Sequence, residues 1–158
     1  MTETGPRAIL DRYNQAILAK SADDLAELYA PDGVHEYPFF FPGMPERFEG
    51  REAVREGCRA IWGPSPARPD RVEEVSVHVA ADGTGDHVLT VEHVVHGTLA
   101  PTGQEFSFPG LMVIRVRDGL ITQVRDYMDG MRVAHTMGLL PALAAGLAAE
   151  ASGASDAS

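Results

Sequence analysis

The first residue in this chain that could do chemistry is a carboxylate on an apolar strand face. In the segment Leu120 to Asp129, one parity carries Leu120, Thr122, Val124, Asp126 and Met128, and the other Ile121, Gln123, Arg125 and Tyr127. Asp126 therefore falls between Val124 and Met128. A carboxylate there costs free energy unless it is paired, hydrogen-bonded or neutralised. Desolvation raises its proton affinity toward the range useful for taking a proton from carbon or water. Solvation at an open strand end, or capping of a neighbouring segment, would explain the residue without any chemistry. Candidate donors lie upstream. The extended run VHEYPFFF, Val34 to Phe41, places His35, Tyr37 and Phe39 on one parity and Val34, Glu36 and Pro38 on the other. If the run borders a pocket, the first set faces it; otherwise it holds ordinary aromatic packing and a surface histidine.

The elements that must position these groups follow from periodicity. Phe106, Phe108, Gly110, Met112, Ile114 and Val116 alternate with polar residues such as Ser107, Arg115 and Arg117. That is a strand with one covered face. Asp118-Gly119 turns it into the Asp126 strand, because both positions accept positive φ in a two-residue hairpin. Upstream, Pro6 to Lys20 reads as a helix with Ile9, Leu10, Tyr13, Ala16 and Ile17 at steps of three and four. Ser21 to Asp24 caps a second helix burying Leu25, Leu28 and Tyr29, which Pro31-Asp32-Gly33 ends. Phe41 to Gly50 reads as a loop over an opening. Arg51 to Trp62 makes a third helix with a stripe of Ala53, Val54, Gly57, Cys58, Ile61 and Trp62.

Gly63 to Pro69 reads as a rigid connector, and from Arg71 the character changes to strand, with Val75, Val77 and Val79 alternating. After the turn ADGTGDH, Val88 to Leu99 runs back with Val91, His93, Val95 and Gly97 on one parity and Glu92, Val94, His96 and Thr98 on the other. Helices first and strands afterwards predict an α+β domain with a mainly antiparallel sheet. Gly130 to Met137 begins a short helix. Residues 141–151, PALAAGLAAEA, are helix-prone by alanine content, and residues 152–158 are expected to be disordered.

The stretch from Pro101 to Asp129, PTG followed by a strand, the DG turn and LITQVRDYMD, resembles the carboxy-terminal hairpin of the nuclear transport factor 2-like superfamily. The likeness is nearest to the SnoaL-like polyketide cyclases and the limonene-epoxide-hydrolase group, and extends more loosely over Arg7 to Trp62. It implies a single SnoaL-like domain over residues 1–140. Its fold would be a cone-shaped, cystatin-like α+β barrel, with about three amino-terminal helices and a curved sheet wrapped around a pocket. In those families the aspartate matching Asp126 lies in the pocket and handles a proton. Counting back from Pro101 turns His93 and Val95 inward, at the positions of the epoxide hydrolases' arginine and second carboxylate, so epoxide hydrolysis by that triad is disfavoured.

The resemblance implies a cofactor-independent enzyme of cyclase, isomerase or dehydratase type. Asp126 would be the general acid/base, paired with His93. Tyr13, His35 or Tyr37 would donate to a developing enolate oxygen, Phe39, Phe108, Met112 and Met128 would wall the pocket, and Gly110 would leave room for a flat ligand. The partners expected are a small or polycyclic apolar carbonyl compound and a second copy of the chain, joined through the sheet. The competing reading is a non-catalytic ligand-binding or dimerisation domain on the same scaffold.

Composition narrows the alternatives. A chain of 158 residues with 44% hydrophobic content can bury roughly 70% of its unfolded surface without a disulfide or metal staple. The formal charge of -10 disfavours nucleic acid and anionic membranes as partners. The lone Cys58 reads as a packed thiol, and the six histidines include no HExxH; His93 and His96 lie on opposite faces, so no metal site is expected. P-loop and GxGxxG motifs are absent, as is any apolar run of membrane-spanning length or a signal-like amino terminus, so a cytoplasmic location is expected.

Overall fold

The computed structural model describes residues 5–39 and 41–155. Helix α1 (Pro6–Ala19) opens on Pro6, and buries Ile9, Leu10, Tyr13 and Ala16. Helix α2 (Ala22–Ala26) is capped by the Ser21 hydroxyl, which accepts from the Asp24 amide at 3.2 Å. Strands β1 (Tyr29–Glu36) and β2 (Arg47–Glu49) precede helix α3 (Arg51–Trp62). Four long strands follow, β3 (Ala67–Ala81), β4 (His87–Leu99), β5 (Gln104–Arg117) and β6 (Leu120–Met128). Helices α4 (Gly130–Thr136) and α5 (Leu140–Ser155) complete the described chain.

The strands form one curved open sheet in the order β2-β1-β6-β5-β4-β3. All neighbours are antiparallel except β1 and β6, which run parallel. The expected Asp118-Gly119 hairpin is present, with φ of 51° and 76° at the two residues. One sheet face presents Leu89, Val91, Met112, Ile114 and Val124 to Ile9, Leu10, Leu25, Val54 and Cys58 of the helices. Fully burying each such leucine or isoleucine is worth about 1.5–3 kcal/mol relative to exposure. The helical layer is thus what seals the inner face.

Several segments differ from the sequence-based expectation, each for a physical reason. The second helix ends at Ala26, and Tyr29 opens β1 instead of lying on a helix face. Pro31-Asp32-Gly33 lies inside β1 as a bulge, since the β6 partners advance only from Ile121 to Gln123 while β1 advances from Tyr29 to Val34. A side chain at Gly33 would place its Cβ 2.7 Å from the Ile121 carbonyl oxygen, so the bulge needs glycine. Part of the expected loop pairs as β2 against β1, and Phe48 packs against the core.

The last part of the expected connector, Ala67 to Pro69, belongs to β3, which tolerates Pro69 because it is an edge strand with a bulge at that point. A second bulge between Glu74 and Ser76 breaks the valine alternation: Val77 packs on the core, whereas Val75 is exposed; Val79 shares the face of Val77, opposite Leu89, and is exposed farther along the edge strand. Helix α5 continues through Ser155, past the expected end of order, with the Ser152 hydroxyl donating to the Ala148 carbonyl at 3.0 Å. Residues 156–158 lie outside the described residues.

Gly97 carries the closest strand contact. A Cβ there would stand 2.1 Å from the Arg68 carbonyl oxygen and 2.8 Å from the Phe106 ring. Gly97→Ala should therefore destabilise the fold by about 1–3 kcal/mol in urea unfolding. Gly5→Ala, where nothing lies within 4 Å, should leave the midpoint nearly unchanged.

Candidate functional site

Register places the candidate groups. Across β4, β5 and β6, Val91, Met112 and Asp126 form one row of directly opposed residues, and His93, Gly110 and Met128 the next. Directly opposed residues share a face, so Asp126 is on the covered side, as its parity requires. Its side chain keeps 22% of its exposure, while Met112 across from it and Val124 beside it are buried. The carboxylate sits at the border between core and solvent, where a small molecule could reach it.

The parallel pairing of β1 with β6 sets His35 opposite Val124, next to Asp126. His35 Nε2 lies 3.7 Å from Asp126 Oδ2, within ion-pair range and just beyond hydrogen-bond length. The other ring nitrogen, Nδ1, lies 2.7 Å from the Tyr29 hydroxyl. Both His35 and Tyr29 are buried. Tyr37 stacks at a tilt against His35, with ring centroids 4.7 Å apart. Tyr13 lies buried on α1, and Tyr29 and Asp126 both act on its hydroxyl electrostatically.

Burial, reinforced by the negative charge of Asp126, pushes the hydroxyls of Tyr13, Tyr29 and Tyr37 well above the ordinary tyrosine range. All three remain protonated donors near neutral pH. Burial likewise pushes the Cys58 thiol up to about 12, consistent with a packed thiol rather than a nucleophile.

His93 also faces inward and is buried, with its ring over Gly110; a Cβ at Gly110 would meet His93 Cε1 and Nε2 at 3.3 Å. The two histidines thus bracket the carboxylate from different strands, and His35, not His93, makes the close contact. Within the described residues, His35 Nε2 and His93 Nδ1 are buried without a hydrogen-bond partner. Two unpaired imidazole nitrogens beside a carboxylate form a polar centre suited to a ligand oxygen.

Met128 and Phe108 are half-buried on the inward face, with Phe108 stacked on Phe106 at 4.4 Å. Phe39 departs from its expected place. It is 60% exposed, because β1 ends at Glu36 and the alternation stops there. Its ring meets Tyr127 edge-on at 5.3 Å. Together with Glu92, His93, Val94, Pro109, Gly110 and Leu111 they line a groove of about 370 Å³. His93 borders this groove and also feels the charge of Asp126.

Sequence reasoning missed Tyr29 and Tyr127. The helical spacing of Leu25, Leu28 and Tyr29 points Tyr29 to a helix face, and Tyr127 lies on the outer parity of β6. The proximity of Tyr29 to His35 has no local signal, since the intervening bulge conceals the shared face.

His93 carries a pH signature. Burial lowers its proton affinity below the ordinary histidine value, and Asp126 opposes this only in part. The unfolded chain, with a histidine near about 6.5, then takes up the proton more readily than the folded one. The stabilising contribution is complete above that value and is lost as pH falls toward the folded-state value. The melting temperature should therefore drop between pH 7.5 and 5.5, and His93→Gln should remove part of that slope in calorimetry.

The description of a SnoaL-like domain fits residues 10–124 of this chain by family model. An uncharacterized PhzA/B-like protein of Pseudomonas aeruginosa is 30% identical over 119 residues, covering 75% of this chain and 79% of that protein. Among solved structures, an isomerase candidate from Bacillus subtilis matches with a TM-score of 0.71 at 24% identity, over 83% of this chain and 91% of that one. A hypothetical protein of Catenulispora acidiphila with a ketosteroid isomerase-like fold, solved with trimethylamine, matches with a TM-score of 0.65 at 22% identity, over 83% of this chain and 92% of that one. At these identities the structural matches speak to fold, and the family model and the Pseudomonas relative speak to descent. The chain belongs to the SnoaL-like domain family of the nuclear transport factor 2-like superfamily.

Proposed function

We propose that this protein is an enzyme that uses Asp126 as a general acid/base on a small or polycyclic apolar carbonyl compound, in a reaction of cyclase, isomerase or dehydratase type. The observation that carries the reading is the position of the Asp126 carboxylate. It is part-exposed on an otherwise buried face, 3.7 Å from His35 Nε2 and opposite Met112. A carboxylate so placed can take a proton from a carbon next to a carbonyl. The protonated hydroxyls of Tyr13 and Tyr37, and the unpaired Nδ1 of His93, supply candidate donors to the enolate oxygen that forms. Proton abstraction and return of this kind asks for no cofactor. The inward strand faces, with Phe108, Met112 and Met128 around Gly110, favour a flat apolar substrate over a charged one.

The test follows the proton. A panel of enolisable cyclic ketones incubated with the protein in deuterium oxide should include members whose α-hydrogens exchange, as followed by NMR. Asp126→Asn should keep the fold by circular dichroism and slow exchange by about 10²–10⁴-fold. Exchange at an unchanged rate in that variant would remove Asp126 as the base.

A role in association is favoured by a separate observation. Phe39 and Leu111 are 60% and 36% exposed, and both line the groove beside Val94, Pro109 and Tyr127. This supports pairing of two copies through the outer sheet face. Leu111→Glu should then shift sedimentation equilibrium from dimer toward monomer, whereas a wild-type chain that sediments as a monomer would count against the pairing.

A further inference from the structure

The hydrogen bond between Tyr29 and His35 decides which way the histidine faces chemically. A neutral imidazole carries one N–H donor and one acceptor nitrogen, and the partner of one nitrogen sets the state of the other. With Tyr29 Oη 2.7 Å from His35 Nδ1, two arrangements are open. Tyr29 can donate to Nδ1, leaving Nε2–H directed at Asp126. Alternatively, Nδ1–H can donate to the Tyr29 oxygen, leaving a lone pair on Nε2 against the carboxylate.

Two features select the first arrangement. Asp126 Oδ2 stands 3.7 Å from Nε2 in a buried setting, where a lone pair facing a carboxylate is repulsive and an N–H is attractive. Nε2 has no other hydrogen-bond partner among the described residues. The backbone of Tyr29 is anchored independently, because Arg51 Nε donates to its carbonyl at 2.8 Å. Tyr37, ring to ring with His35, stays neutral, and Cys58 stays a thiol.

We propose that Tyr29 is a positioning residue that locks His35 in its Nε2–H tautomer and so aims a hydrogen-bond donor at one oxygen of Asp126. The other carboxylate oxygen is then left toward the substrate, and the carboxylate is held in one orientation for proton transfer. The chain of donors runs from Tyr29 to His35 to Asp126. This inference rests on the reading of Asp126 as the base, but its test does not.

The experiment is a long-range proton–nitrogen NMR correlation of the imidazole rings in the full-length, nitrogen-15-labelled chain at pH 8, with the His35 signals assigned from a His35→Gln variant. In the wild type, His35 should show a single Nε2–H tautomer. In Tyr29→Phe, which keeps the ring and removes only the hydroxyl, the Nδ1–H form should rise to at least about one part in ten. A wild-type His35 carrying its proton on Nδ1 would overturn the proposal whether or not the variant folds. So would a tautomer unchanged in folded Tyr29→Phe. Because the readout is independent of turnover, loss of the base assignment through Asp126→Asn would be distinguishable from loss of the relay.

Discussion

The parallel pairing of β1 with β6 is the constraint on which the candidate site depends. It is the sheet's one parallel contact among the described strands, and it joins the amino-terminal segment to the last strand of the carboxy-terminal hairpin. Through it, His35 stands beside Val124 and reaches Asp126, a residue 91 positions later in the chain. Parallel strands cannot be joined by a tight turn, and here the connection takes in α3 and three long strands. The site therefore exists only once β1 has paired with β6 of the completed sheet, which ties any chemistry at Asp126 to complete folding of the domain.

Around that pairing, the structure manages a costly group by leaving it partly unsatisfied. An isolated carboxylate on an apolar face would be strongly disfavoured. Asp126 keeps some solvent contact, has an imidazole at ion-pair distance, and lies near tyrosines that burial keeps protonated. Other charges are handled differently, buried Asp86 among them. Arg55 bridges Asp23, Glu27 and Glu52 between α2 and α3, and Asp86 is clasped by Arg115 and Arg117 at the far end of the β5 strand. Those networks pair their charges closely, whereas the inner site leaves two imidazole nitrogens without a hydrogen-bond partner among the described residues. Polar groups that are buried yet unpaired mark where a native fold has kept capacity for a ligand.

The inner and outer faces of β4, β5 and β6 serve different ends. Inward, alternate residues supply Met112, Asp126, His93 and the bare backbone of Gly110. Outward, Leu111, Val94, Pro109 and Tyr127 border an apolar groove that reaches His93 at its margin. Both faces being partly apolar is already visible in β4, where valines occupy both parities. Gly110 links the two, since the absence of a side chain leaves room for the His93 ring beside the strand, and both residues line the groove.

Local chemistry alone determined the hairpin, the first and third helices, the switch from helices to strands, and the inward parity of Asp126, because each depends on periods of two or 3.6 residues and on turn residues adjacent in the chain. The likeness of Pro101 to Asp129 to a known hairpin added the family and the inward turn of His93. Tertiary structure decided the rest. Bulges at Pro31 to Gly33 and at Val75 reset the alternation, so that Tyr29 joined the site and Val75 left the core. An edge position let a proline-bearing segment pair as strand. The choice of His35 over His93 as the close neighbour of Asp126 came from inter-strand register. Register is set by the packing of whole strands against the helical layer, and a one-dimensional pattern does not contain it.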